Sequence, residues 1–235
     1  MPRVNVKDKR KHQLMEANIA SIARRGLEDT TIAHVSKGAE MSRGIVNFYF
    51  TSKEKMMQET LAFMAAEYTA SWQEALENKL KETKDPITLI EAILRALLSD
   101  RLCSHKRLAV WAAFIGHAGT HPAHAKIIHN ADESLVKQLK ELWQKVLPDA
   151  KVAEQRARQM QALIRGHHLS SALGADINRP STYFEAWAHL FEATSGKQEK
   201  VTKIKPDASA KQGKKPHPPS VLPGQLDFGD LFSSN

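Results

Sequence analysis

Residues 26–57, GLEDTTIAHVSKGAEMSRGIVNFYFTSKEKMM, constrain the fold more than any other stretch. They contain two helical segments far shorter than the roughly 12–15 residues an isolated helix needs, so both must borrow stability from tertiary packing. Each has its own start signal, Thr30 or Thr31 for the first and Ser42 for the second, and the first closes near Gly38. The aromatic run Phe48-Tyr49-Phe50 follows, and Thr51-x-x-Glu54 reads as a capping box that opens a longer helix. Two short helices joined by a three-to-four-residue turn form the unit that lays its second helix in a DNA major groove. The competing reading is a plain helical hairpin in a bundle core. Val35, Ala39, Met41, Val46 and Phe50 do suffice for a small core, but helices this short and polar would bury little of a larger body.

The rest of the chain reads at helical period, with no alternating strand runs of useful length, so the fold class is all-α. A first helix is expected over residues 7–25, with Leu14, Ala17 and Ile22 on its buried stripe and Gly26 in the left-handed position beyond its end. The second should end near residue 38, the third near 48 and the fourth near 81. A fifth enters at Pro86, a sixth is capped by Ser104, and a seventh runs from Pro122 to residue 147, before Pro148. An eighth covers 151–173 and a ninth 182–194. From Gly196 the composition turns to Lys, Pro, Gly and Ser and reads as a disordered tail. The expected organisation is a head over residues 1–53, a helical body over 54–195 and the tail over 196–235.

Charge follows the same division. Residues 1–55 carry eleven Lys/Arg against six Asp/Glu, while residues 56–195 carry sixteen of each. A positive excess confined to a small module suits contact with phosphates, where each neutralised phosphate releases counterions. The single Cys103 excludes an intramolecular disulfide and a cysteine zinc ribbon. The polar start, MPRVNVKDKRKHQL, lacks an apolar signal region, and no run approaches the ~20 apolar residues of a membrane span, so a soluble cytoplasmic protein is expected. No nucleophile–base set or phosphate-binding glycine loop is visible, so neither an enzyme nor a cofactor is expected.

Within the head, Arg43 suits a bidentate contact to guanine, and Gly44 lets the backbone approach DNA closely. Asn47, one turn later, reaches a base edge or a phosphate. Tyr49 and Lys53 lie where the chain leaves the third helix, beside the free N–H groups at the start of the fourth, which favour a phosphate.

Taken together, Thr30-Thr31-Ile32, Val35, Ala39, Met41-Ser42-Arg43-Gly44, Tyr49-Phe50 and Ser52-Lys53-Glu54 resemble the signature of the TetR family of bacterial transcriptional regulators. The resemblance implies an all-α homodimer that binds a palindromic operator and is usually a repressor released by a small-molecule effector. It implies phosphate contacts from Thr31, Tyr49 and Lys53, Arg43, Gly44 and Asn47 in the groove, and Ser42 as cap. Two positions depart from the signature. Glu40 stands where glycine is usual and must take strained backbone or shift the turn. Asn47, followed by Phe48, stands where tyrosine is common, which adds Phe48 to the candidate DNA contacts.

The stretches Leu108–Phe114, His121-Pro122 and Ala162–Gly166 resemble the choline-responsive branch of that family, which controls glycine betaine synthesis. A quaternary ammonium favours an aromatic cage, which Tyr68, Trp111 and Phe114 are placed to supply, although core packing competes for Trp111 and Phe114. Members of that branch carry an acid and an aromatic where this chain has Arg165 and His167-His168, which makes an anionic or neutral effector at least an equal choice. The candidate effector set is Tyr68, Trp111, Phe114, His117, Arg165 and His168.

Five histidines fall between 105 and 129, and His117 and His121 have the four-residue spacing of metal ligands. This supports an alternative, a metal-sensing or catalytic all-α protein, but Pro122 is expected to break the helix between the histidines and no HExxH motif completes them. Adjacent His167 and His168 should point to different sides of their helix, one at a subunit interface and one exposed. Apolar faces on the last two helices, including Met160, Leu163, Ile164, Leu169, Leu173, Phe184, Trp187, Leu190 and Phe191, are the expected homodimer surface.

Overall fold

The structure, a computed structural model, describes residues 6–99 and 101–173, all helix and connecting turns. The helices are α1 (Val6–Asp29), α2 (Ile32–Gly38), α3 (Arg43–Tyr49), α4 (Lys53–Leu80), α5 (Pro86–Leu97), α6 (His105–Ala118), α7 (Pro122–Trp143) and α8 (Ala150–Ala172). The expected ninth helix, its interface residues and the tail lie outside the described residues. Among those described, no helix is long and apolar enough to cross a membrane.

Two apolar cores share α4 as a common strut. The first gathers Leu14, Ile19 and Ile22 of α1, Val35 of α2, Val46 of α3, Phe50, and Met56 and Leu61 of α4, and adds Val110 and Phe114 of α6. The second gathers Trp72 and Leu76 from the far half of α4 with Ile90, Ile93 and Leu97 of α5, Leu139 and Trp143 of α7, and Met160 and Ile164 of α8. Trp143 is fully buried, and its indole N–H donates to the Met160 sulfur at 2.9 Å. Polar ties reinforce the α1–α4 contact: buried Asn18 donates to the Thr60 hydroxyl at 2.8 Å, and Thr60 donates to the Met15 sulfur at 3.2 Å.

The boundaries depart from sequence expectation at instructive places. Gly26 has φ 83 and ψ 173, so its φ is positive as expected, but its ψ is extended rather than left-handed helical. It breaks α1, which resumes to Asp29. The cap of α4 is Ser52, not Thr51. Ser52 has extended backbone and accepts from the Lys55 N–H at 3.0 Å; with Lys55 rather than Glu54 three residues on, the hydroxyl cap forms without the expected reciprocal box. Ser104 is the N-cap of α6 but its hydroxyl makes no capping bond. Helix α7 stops at Trp143 rather than 147, where the chain tightens into three-residue turns: Lys145 N–H donates to Leu142 O at 3.1 Å and Val146 N–H to Trp143 O at 3.0 Å. Pro148 disfavours helix at the residue before it.

Candidate nucleic-acid interface and effector cavity

The turn between α2 and α3 is tight. Ala39 N–H donates to Val35 O at 2.9 Å, and Met41 N–H to Ser36 O at 2.9 Å. Glu40 makes the bend with φ 55, the strained option expected where glycine is usual. A left-handed non-glycine residue costs about 1–2 kcal/mol. Thr31 and Ser42 cap the two short helices, accepting from His34 N–H at 3.2 Å and Ile45 N–H at 3.4 Å. Thr30, the other candidate cap, is buried instead and donates to Gly26 O at 2.8 Å. With Val46 and Phe50 turned inward, α3 presents Arg43, Gly44, Asn47 and Phe48 outward as one exposed face. Among the described residues, the Arg43 and Asn47 side chains make no hydrogen bond or ion pair.

Gly44 has ample room and ordinary backbone: a Cβ placed there would meet only the Ser42 hydroxyl, at 3.8 Å. Glycine in a helix costs about 1 kcal/mol relative to alanine, and nothing in the fold requires it, whereas close approach of another molecule would. Around this face, Thr31 is exposed at the start of α2. The Tyr49 hydroxyl donates to Lys7 O at 3.3 Å, and the Lys53 ammonium donates to Glu28 O. Lys53 therefore ties the start of α4 to the end of α1.

Four of the six candidate effector residues converge in the body. Tyr68, Trp111 and His168 are common to two small adjoining cavities of about 30 and 10 Å³. The first is completed by Met64, Leu102, Arg107 and Leu108, the second by Asp132, Gln161, Ile164 and Arg165. Tyr68 and Trp111 lie near-parallel, centroids 6.2 Å apart and planes 18° apart. Burial pushes the Tyr68 hydroxyl pKa well up, so it is a neutral donor. Asp132 pairs with Arg165 and accepts from Gln161 at 2.8 Å. Arg107 bridges Glu67 of α4, at 2.5 Å, and Glu16 of α1.

His167 and His168 are both buried, against the expectation that one is exposed. His168 Nε2–H donates to Leu97 O at 2.9 Å, and burial lowers its pKa to about 4. Burial lowers that of His167 as well. The other two candidates lie elsewhere. Phe114 is wholly buried in the first core, its ring 5.3 Å from that of His124. His117, near the end of α6, meets Glu28 of α1 at 3.1 Å.

Pro122 breaks the helix between the histidines as expected, but the break brings their rings together. It opens α7, and the preceding turn folds His121 back onto His117, ring centroids 3.5 Å apart, with His124 Nδ1 3.3 Å from His117 Nδ1. Burial, then the neighbouring His117 and His121, lowers the His124 pKa. The His/Asp/Glu group suited by spacing to hold a metal, among the described residues, is elsewhere, at His12, Glu16 and Glu67. Arg107 already neutralises both of its acids. Sequence reasoning missed Glu28, Arg107, Asp132 and Gln161, because each finds its partner on another helix, far along the chain.

Two short capped helices joined by a tight turn, with the outer face of the second left open, form a helix-turn-helix head on a helical body, the arrangement of a DNA-binding protein. Residues 14–60 match the family described as "Bacterial regulatory proteins, tetR family", and residues 86–190 match "BetI-type transcriptional repressor, C-terminal". The chain is 31% identical over 173 residues, 74% of its length and 87% of the relative's, to the HTH-type transcriptional regulator BetI of Burkholderia cenocepacia strain HI2424. It is 29% identical over 182 residues, 76% and 89% of the two chains, to that of Serratia proteamaculans strain 568. A transcriptional regulator from Pseudomonas aeruginosa PAO1 shares the fold with TM-score 0.68, at 22% identity over 81% of this chain and 93% of that one. A TetR regulator from Haloarcula marismortui ATCC 43049 does so with TM-score 0.66, at 17% identity over 79% and 98%. The chain belongs to the TetR family of transcriptional regulators, with a BetI-type C-terminal region. This membership favours the regulator over the metal-sensing or catalytic alternative.

Proposed function

We propose that this regulator is a cytoplasmic homodimeric repressor that binds a palindromic operator through its head, residues 1–53, and releases it when the body, residues 54–195, takes up a small molecule. The observation that carries this reading is the outward face of α3, where Arg43 and Asn47 have no partner side chain among the described residues and Gly44 leaves space the fold does not need. In this reading Arg43 reads guanine, Asn47 a base edge, Phe48 the groove, and Thr31, Tyr49 and Lys53 hold phosphates, with Ser42 capping the reading helix. The exposed Leu169 of α8 and Leu173, which caps that helix, belong to the dimer surface. Two heads then sit roughly 34–36 Å apart, one DNA turn.

The effector occupies the Tyr68–Trp111–His168 cavity, with Arg165 at its edge. At about 30 Å³ the cavity holds little more than a water, so uptake requires Trp111 or its neighbours to move. A quaternary ammonium would have to displace Arg165 from Asp132, and an anion Asp132 from Arg165, which favours a neutral effector. Helix α6 is common to both sites: Trp111 and Arg107 line the cavity, while Val110, Phe114 and His117 pack on the head-side core or on α1. A ligand that prefers a displaced α6 would thereby favour a different placement of the heads, which is a difference in affinity between two states.

The test is a pair of variants. Arg43→Ala should reduce the operator-to-random affinity ratio by about 1–3 kcal/mol. Lys53→Ala should weaken binding to all duplexes alike and flatten the salt dependence. An unchanged ratio for Arg43→Ala would remove the base-reading assignment.

A further inference from the structure

Phe48 is an aromatic ring left 75% exposed at the centre of the face that meets DNA. It leans edge-on against Tyr49, centroids 5.4 Å apart and planes 89° apart, and meets no other ring among the described residues. Gly44 lies one helical turn before it. Helical side chains tilt toward the N-terminus, so residue 48 extends over the turn that begins at 44. There the missing Cβ leaves open space, with only the Ser42 hydroxyl within 4 Å. Glycine and phenylalanine together form an apolar notch on a helix whose other outward side chains, Arg43 and Asn47, are polar.

The chemistry of the groove narrows what can fill that notch. Base edges in the major groove present donors and acceptors, which a phenyl ring cannot satisfy, and one apolar group, the 5-methyl of thymine. Phosphates are excluded because Phe has no donor. A protein partner fits poorly on a module with eleven basic residues against six acidic ones in its first 55 positions. Resting on the operator reading above, we propose that Phe48 is a specificity-determining residue that packs against a thymine 5-methyl group in each half-site, with Gly44 giving it the depth to do so. The half-site therefore combines a guanine, for Arg43, with a thymine within reach of the same helical turn.

The experiment uses the full chain and the tightest duplex recovered by selection from random DNA. Each thymine of the half-site is replaced in turn by deoxyuridine, which removes one methyl group and leaves every hydrogen-bonding edge intact. At one thymine per half-site the wild-type protein should lose about fourfold in affinity, the change that ~0.8 kcal/mol for a buried methyl corresponds to. Phe48→Ala should bind the thymine and deoxyuridine duplexes equally, while Phe48→Leu, which keeps an apolar side chain, should retain most of the discrimination. Because Phe48 is exposed, circular dichroism of both variants should match wild type. Equal binding of thymine and deoxyuridine duplexes by the wild type overturns the assignment and leaves the operator reading intact. The same loss persisting in Phe48→Ala assigns the methyl contact to another residue. Failure to recover any preferred duplex removes both readings together.

Discussion

Phe50→Ala should lower the stability of the protein by about 3–5 kcal/mol, the usual cost of emptying a large aromatic site in a packed core. Phe50 is 1% exposed and ends α3, its N–H donating to Val46 O at 2.9 Å. Its ring lies in the core that joins α1, α2, α3, the start of α4 and the middle of α6. A helix of seven residues has little stability of its own, so the orientation of α3 depends on this packing. Operator affinity should therefore fall as well, although Phe50 reaches no base. Denaturant unfolding followed by circular dichroism measures the first effect, and a loss below about 1 kcal/mol would show that the core around α3 collapses to fill the gap.

Acidification from pH 7 to pH 4 should destabilise the body by up to about 3 kcal/mol through His168 alone, since each tenfold difference in proton affinity between folded and unfolded chain is worth about 1.4 kcal/mol. The pKa of His168 is about 4 in the fold because burial disfavours the charged ring, against an ordinary 6.5 once unfolded. Between those values the unfolded chain binds the proton and the folded chain does not, so stability is fully present above about 6.5 and declines as pH falls toward 4. Burial moves His124 and His167 in the same direction, so they add to the decline. Unfolding curves at pH 7, 5.5 and 4 measure the slope, and His168→Gln, able to donate to the same Leu97 carbonyl without titrating, should flatten it. A stability that is level over this range, or a slope unchanged in the variant, would contradict the neutral buried assignment.

The head was largely legible from local chemistry. Thr31 and Ser42 announce α2 and α3 by hydroxyl capping, Glu40 announces a strained turn by standing where glycine is usual, and Pro86 announces α5, capped by Asp85. Ser52 and Thr51 are chemically equivalent as caps, so only the backbone could decide between them. The apolar period of α7 continues past Trp143, yet hydrogen bonding turns the chain before Pro148. The candidate effector cavity was half legible: Tyr68, Trp111, Arg165 and His168 could be named as aromatic or polar residues on apolar helices. Their partners Asp132, Gln161 and Arg107 could not, because an ion pair between helices leaves no periodic trace. Phe114 and His117 share the sequence neighbourhood of Trp111, but helical rotation turns one into the core and the other toward Glu28. Neither burial of both His167 and His168 nor convergence of three histidines around Pro122 follows from spacing, since each depends on how neighbouring helices dock.

The most direct measurement is selection of random duplex DNA by the purified full-length protein, followed by titration of the recovered sequence and a scrambled control at fixed salt. A palindrome should emerge whose half-sites lie about one helical turn apart, each with a guanine and a thymine in reach of one α3, bound at least about a thousandfold more tightly than the control. Recovery of no common sequence, with equal affinity for every duplex, would contradict the operator reading.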